Sequence, residues 1–231
     1  MSAKRTSGSI SLPSPHPLLD GQQLAGRLRL ITKALSTQSD RALVLVGTSF
    51  LDEALDGLLR ARFSARMTRP KSLTKTLFEG YGPLATFSAK IHIAYCLDLM
   101  EEWMYRDLNT IRKLRNTAAH SVEEIDFSSD AVTRLTSQLF GPVHVLYIQK
   151  KYPETFKAIK PTRRRSSSPN SAKAKAASAR ALLKMTITSI WPLLWCRAIV
   201  LSVPNIPIEH RENVVQSLLF SESMLLEKVR K

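Results

Sequence analysis

The sequence predicts an all-α protein: a helical bundle followed by a basic linker and a C-terminal helical extension. Apolar residues recur every three or four positions along most of the first 150 residues, whereas the alternation typical of strands is scarce. Hydrophobic residues make up 44% of the 231 residues, which is enough for a packed core. Cysteine, glycine and proline are not in excess, so an ordinary soluble protein is expected.

Two amphipathic helices are predicted at the start of the bundle. The first runs from Asp20, a natural N-cap, to Leu35. The second starts at Ser39 or Asp40 and keeps an apolar stripe over five turns, which predicts a core helix. The stripe consists of Leu43, Val46, Gly47, Phe50, Leu51, Ala54, Leu55, Leu58 and Leu59. The opposite face is acidic and carries Asp52, Glu53 and Asp56.

A basic loop and a turn are predicted after the second helix. The stretch Arg60–Lys75 contains six basic residues, no acid and Pro70, so we expect it to leave the core as a loop. Gly80-Tyr81-Gly82 precedes Pro83, and this predicts a turn followed by a helix over 84–100 with proline at its first position.

Further helices are predicted along the rest of the chain. One covers 101–120, and a shorter one begins after a Ser128 or Ser129 cap and ends at Leu139, where Gly141 and Pro142 stop it. Two more lie in the C-terminal part, over 181–195 and 213–228.

The positive charge is concentrated in one segment. The formal net charge is +15, and residues 150–184 account for +10 of it. Together with the Pro-, Ser- and Lys-rich composition of 161–180, this predicts a linker. We therefore divide the chain into four parts: a disordered lead 1–18, a helical domain 19–149, a basic linker 150–180 and a helical extension 181–231.

The location is predicted to be cytoplasmic, with no membrane insertion. The N-terminus has no apolar signal core, and Cys96 and Cys196 are expected to be buried, reduced thiols. The segment 185–203 is apolar, but Arg197 inside it would cost about 2.5–3.5 kcal/mol in a membrane. We expect a buried or partner-facing helix broken at Pro192; a membrane-associated interaction protein is the third interpretation.

One helical motif has residues suited to chemistry on RNA. Arg115, Asn116 and His120 form R-N-x-x-x-H within IRKLRNTAAH, residues 111–120. Asn116 and His120 lie nearly above one another on a helix, and the long side chain of Arg115 can reach the same groove. Arginine can hold a phosphate and histidine can exchange a proton at neutral pH, so the motif could cleave RNA without a metal. Alternatively, Arg115 and His120 only interact with the C-terminal helix dipole, and Asn116 bonds to a neighbouring helix.

Three blocks of sequence resemble the mannitol operon repressor family. They are ALVLVGTSFLDEALDGLL at 42–59, GPLATFSAKIHIAYCLDL at 82–99, and the block at 111–120. The last block is also similar to the wider HEPN superfamily, whose active members carry an Arg–polar–His motif and cleave RNA. The resemblance implies an all-helical fold, places Arg115, Asn116 and His120 on the HEPN positions, and suggests a homodimer.

The leading interpretation is a transcriptional regulator without enzymatic activity, which binds protein or nucleic acid although no helix-turn-helix is evident. The alternative is a metal-independent endoribonuclease of the HEPN type, a superfamily that includes toxins, in which Arg115 binds phosphate and His120 acts as acid and base. No cofactor is expected. No metal is expected either, because the other histidines show no ligand spacing.

The basic segment supplies a candidate nucleic-acid contact. Its cationic residues are Arg163, Arg164, Arg165, Lys173, Lys175 and Arg180. They could bind phosphates with a strongly salt-dependent affinity, but no aromatic residue is interleaved to stack on bases. The segment could equally be a solvated, flexible linker.

Overall fold

The computed structural model describes residues 21–64, 71–120, 125–151 and 171–202. Within these four ranges the chain forms eight helices and no strand, which confirms the all-α prediction. The helices are α1 (Gly21–Ser36), α2 (Asp40–Ser64), α3 (Lys71–Phe78), α4 (Phe87–Cys96), α5 (Glu102–His120), α6 (Asp130–Ser137), α7 (Gly141–Lys151) and α8 (Ala172–Ser202).

Helices α2 and α8 pack along each other at the centre of the bundle. The other helices surround this pair: α1, α4 and α5 contact α2, while α1, α6 and α7 contact α8. The predicted stripe of α2 supplies much of the core, and Leu51, Leu55 and Leu58 are fully buried. Gly47 allows a close contact between the two central helices, because a Cβ there would stand 2.4 Å from Cδ1 of Ile187.

The helix predicted to end at Leu139 ends at Ser137, close to the predicted stop, but a further helix that the sequence analysis did not predict, α7, begins at Gly141. Gly141 and Pro142 form the first turn of α7, in which a missing N–H costs no helical hydrogen bond. Asp107 of α5 accepts hydrogen bonds from the backbone N–H groups of Phe140, at 2.8 Å, and Gly141, at 2.7 Å. A side chain from a distant helix therefore caps the start of α7.

Two further boundaries differ from the prediction. Most of the predicted loop Arg60–Lys75 is helical, because α2 continues to Ser64 and α3 starts at Lys71; residues 65–70 lie outside the described part.

Helix α4 is shorter than the predicted helix over 84–100. Thr86 caps it, since its side chain accepts the N–H of Ala89 at 3.2 Å, and Asp98 just after its end has a φ of 56°. The start of α2 at Asp40 and the Ser129 cap of α6 are as predicted.

Helix α8 begins at Ala172, so residues 172–180 are helical and not part of a linker. Their alternating alanine and lysine residues are good helix formers. The helix is not broken at Pro192, whose side chain is buried, and its apolar part fills the core. The predicted extension thus shares the core of the bundle as far as Ser202.

Helix α8 is also the one described helix that is long and apolar enough to cross a membrane by length and composition. A share of 56% of its apolar window is buried inside the bundle, and core helices of soluble proteins pass the same test. The lead 1–18 and the predicted helix over 213–228 lie outside the described residues.

Candidate functional site

The R-N-x-x-x-H motif lies on the last two turns of α5, beside a cavity. Arg115 and Asn116 line this cavity, and Nη1 of Arg115 donates to Oδ1 of Asn116 at 3.4 Å. His120, the exposed last residue of α5, does not line it. The structure therefore brings two of the three predicted residues to one site.

The cavity has a volume of about 380 Å³ and lies between α2, α5 and the start of α4. Its walls combine hydroxyl, amide and charged groups with a few apolar side chains. The lining residues are Leu45, Thr48, Ser49 and Asp52 from α2, Ala85, Thr86, Phe87 and Ser88 around the start of α4, and Arg112, Arg115 and Asn116 from α5.

Arg112 is a site residue that the sequence analysis missed. It precedes Arg115 by three positions, so both guanidinium groups emerge on the same side of α5. Nε of Arg112 donates to Oδ1 of Asn109 at 3.3 Å, so this hydrogen bond joins the guanidinium to a neutral amide. The i, i+3 spacing of two arginines could have indicated this pair, but the motif R-N-x-x-x-H drew attention to His120 instead.

The acidic face of α2 is neutralised by a buried lysine. Lys90 is only 6% exposed, and its Nζ lies 2.8 Å from Asp52 and 3.2 Å from Asp56. Arg60 also pairs with Asp56, at 2.5 Å. These four groups contain two positive and two negative charges, so Asp52 faces the cavity as part of a balanced network.

The predicted nucleic-acid residues fall into two groups. Arg163, Arg164 and Arg165 lie outside the described part of the chain. Lys173, Lys175 and Arg180 lie on α8, where Lys175 is 3.7 Å from Asp130 and Arg180 forms an ion pair with Asp40. Two of the three described cations thus already have acidic partners.

A second polar cluster lies where α5, α7 and α8 meet. Arg197 of α8 binds the carboxylate of Glu101, with Nη1 3.0 Å from Oε2. His144 of α7 stacks on Trp103, with ring centroids 4.6 Å apart. Burial lowers the pKa of His144 below its ordinary value, against the opposite influence of Glu101. The pKa of Glu101 is also lowered, because the hydrogen bond and the charge of Arg197 outweigh its burial.

The fold and the site define a class: an all-α bundle with a polar, cationic cavity. In the four described ranges, no group of three or more His, Cys, Asp or Glu residues could hold a metal ion. The chain belongs to the mannitol repressor family, since the model of that family matches residues 30–191, more than half of the sequence. No protein of curated function matches the sequence.

Two solved structures share the fold. YggD from Shigella flexneri 2a, described as a possible transcriptional regulator, is 15% identical with a TM-score of 0.53; the match covers 72% of this chain and 98% of that one. MtlR from Escherichia coli, solved in complex with HPr, is 16% identical with a TM-score of 0.52, covering 75% and 99%. The family supports a role in regulating transcription.

Proposed function

We propose that this chain is a cytoplasmic transcriptional regulator that acts by binding a partner protein and not by cleaving RNA. The observation that carries this proposal is the separation of the R-N-x-x-x-H motif: Arg115 and Asn116 line the cavity, whereas His120 does not. An arginine–asparagine pair that lines a cavity without the histidine of the motif suits ligand or partner binding better than the acid–base chemistry that the motif would need.

HPr is the first partner to test, because the E. coli relative was solved in complex with a protein of that name. The chain has a surface suited to such a contact on α7. This α7 surface consists of four large apolar side chains at helical spacing, one just before the helix and three on it: Phe140, Val143, Leu146 and Tyr147, which are 43%, 50%, 61% and 58% exposed. A cluster of large exposed apolar side chains is typical of an interaction surface.

The test is calorimetric titration of HPr from the same organism into the full chain. We expect Leu146→Asp to weaken binding at least about tenfold, because a carboxylate would be placed in an apolar interface. Leu30→Asp is the matched control, since Leu30 is 68% exposed and lies on a different helix, α1. If the wild type does not bind HPr, the partner is wrong; if Leu146→Asp binds as well as Leu30→Asp, the α7 surface is wrong.

The endoribonuclease remains the second candidate, favoured by the side-by-side placement of Arg115 and Asn116 on the cavity wall. It is tested by incubating the wild type and His120→Ala with total RNA in EDTA. We expect no difference between the two proteins. Cleavage by the wild type that disappears in His120→Ala would replace the regulator proposal with the ribonuclease.

A further inference from the structure

We infer that the cavity between α2, α4 and α5 binds a small organic phosphate monoester. This inference concerns a site separate from the α7 surface and does not depend on the identity of the protein partner. A volume of about 380 Å³ lies near the lower end of the range of roughly 300–1,000 Å³ for small-molecule sites. The cavity is therefore suited to a small metabolite.

Two arginines give the cavity an excess of positive charge. Arg112 donates one long hydrogen bond to the side-chain amide oxygen of Asn109, and Arg115 donates one to the side-chain amide oxygen of Asn116. Among the described residues, neither guanidinium forms an ion pair with a carboxylate. Each guanidinium has five N–H donors, so most of them remain available to a ligand.

The acidic residue of the cavity does not cancel this excess. Asp52 belongs to the balanced network with Lys90, Asp56 and Arg60, which contains as many positive as negative charges. Because this network is neutral overall, the two arginines give the lining of the cavity a net charge of about +2. A phosphate monoester carries roughly −1.5 to −2 at neutral pH, which matches this charge better than a single carboxylate.

The start of α4 adds donors to the same cavity. Thr86 uses its side-chain oxygen to cap the N–H of Ala89. The N–H groups of Phe87 and Ser88 have no acceptor among the described residues. Free N–H groups and the positive end of the helix dipole favour an anion at such a place, and the two arginines line the same cavity.

The remaining walls suit the organic part of the ligand. Leu45, Ala85 and Phe87 provide apolar contacts, and Ser49 and Asn116 provide oxygen atoms that can accept hydrogen bonds. Ser49 already donates its hydroxyl to the carbonyl of Leu45 at 3.0 Å, so its free role is that of an acceptor. Inorganic phosphate alone would leave these groups unused.

The test is calorimetric titration of the full chain with glycerol 3-phosphate in low-salt buffer, with glycerol and inorganic phosphate as comparison ligands. We expect saturable binding of glycerol 3-phosphate, weaker binding of phosphate and none of glycerol. Arg112→Gln and Arg115→Gln should each weaken binding about tenfold or more, because each removes a charge-assisted hydrogen bond.

Lys113→Gln is the matched control, because Lys113 is an exposed cation on the same helix and does not line the cavity. Circular dichroism checks that all variants keep their helix content. The inference fails if the wild type shows no saturable binding, if Lys113→Gln loses as much as the arginine variants, or if inorganic phosphate binds as tightly as the ester. It also fails if a short RNA displaces the probe through Arg112 and Arg115, because the site would then serve the RNA backbone.

Discussion

Asp107 shows how one side chain decides where a helix begins. It is 1% exposed; its Oδ1 accepts the N–H of Phe140 and its Oδ2 accepts the N–H of Gly141. Asp107→Ala would leave the partly buried N–H of Phe140 and the buried N–H of Gly141 without their acceptors, and the buried donor alone costs about 1–3 kcal/mol. We expect a large fall in the free energy of unfolding, measured with urea. Asp107→Asn keeps one acceptor oxygen and should lose less; equal losses would contradict this account.

His144 makes the stability of the protein depend on pH near neutrality. Its pKa is lowered by burial against Trp103, so the folded state binds its proton less readily than the unfolded chain. The stability that this group contributes is present above its ordinary pKa of about 6.5, and is lost as pH falls through the lower, folded value. The loss amounts to about 1.4 kcal/mol for each unit of pKa difference.

The measurement is urea unfolding at pH 8, 6.5 and 5 for the wild type and His144→Gln. We expect the free energy of unfolding to fall less between pH 8 and 5 in the variant, because a glutamine at position 144 does not take up a proton. Glu101 acts in a lower range, because its pKa is lowered too and its contribution is lost only as the carboxylate is protonated. Identical pH profiles would show that His144 is not the titrating group.

Gly57 of α2 and Gly141 of α7 differ in how much space surrounds them. A Cβ at Gly57 of α2 would meet nothing within 4 Å, so Gly57→Ala should raise the free energy of unfolding by about 0.5–1 kcal/mol. A Cβ at Gly141 of α7 would lie 2.8 Å from Cα of Thr186, where the backbone of α8 cannot yield. Gly141→Ala should therefore lower stability by about 1–3 kcal/mol.

Chemical denaturation of the two glycine variants checks this contrast. Because both substitutions add the same methyl group, the difference between them isolates the packing of α7 on α8. A Gly141→Ala variant as stable as the wild type would mean that α7 and α8 are farther apart at Gly141 than the 2.8 Å contact with Thr186 requires.

At the scale of the whole molecule, the uneven distribution of positive charge predicts which residues would contact the phosphates of a nucleic acid. Residues 150–184 carry a net +10, and the described cations Lys175 and Arg180 already contact Asp130 and Asp40. We therefore expect the triplet Arg163–Arg165 to contribute most to phosphate binding. Replacing all three by glutamine should reduce the slope of log K against log salt by about 2–3.

Fluorescence anisotropy with a labelled RNA or DNA duplex at several salt concentrations measures this slope. Lys175→Gln is the control and should change the slope little. An unchanged slope in the triple variant would support the solvated-linker interpretation. The homodimer and the nucleic-acid contact remain predictions at this scale.

Local signals made much of the fold predictable from sequence. The 3–4 spacing of apolar residues in α2 and the Ser129 cap of α6 depend only on neighbours along the helix. The start of α7 at Gly141 was not predicted, because its cap comes from Asp107, 34 residues earlier in the chain. The Ala/Lys stretch at 172–180 was assigned to a linker by composition, although its helix propensity is high.

The sequence by itself determined the helical class, the core stripe of α2, the family blocks and the candidate residues Arg115, Asn116 and His120. These features follow from periodicity, capping chemistry and residue type, all of which are local. Only the tertiary structure decided that Arg112 joins Arg115 and Asn116 at one cavity, that His120 does not line it, and that α8 packs on α2 as a core helix. Those outcomes depend on which helix faces meet, and this is set by packing between residues far apart in the chain.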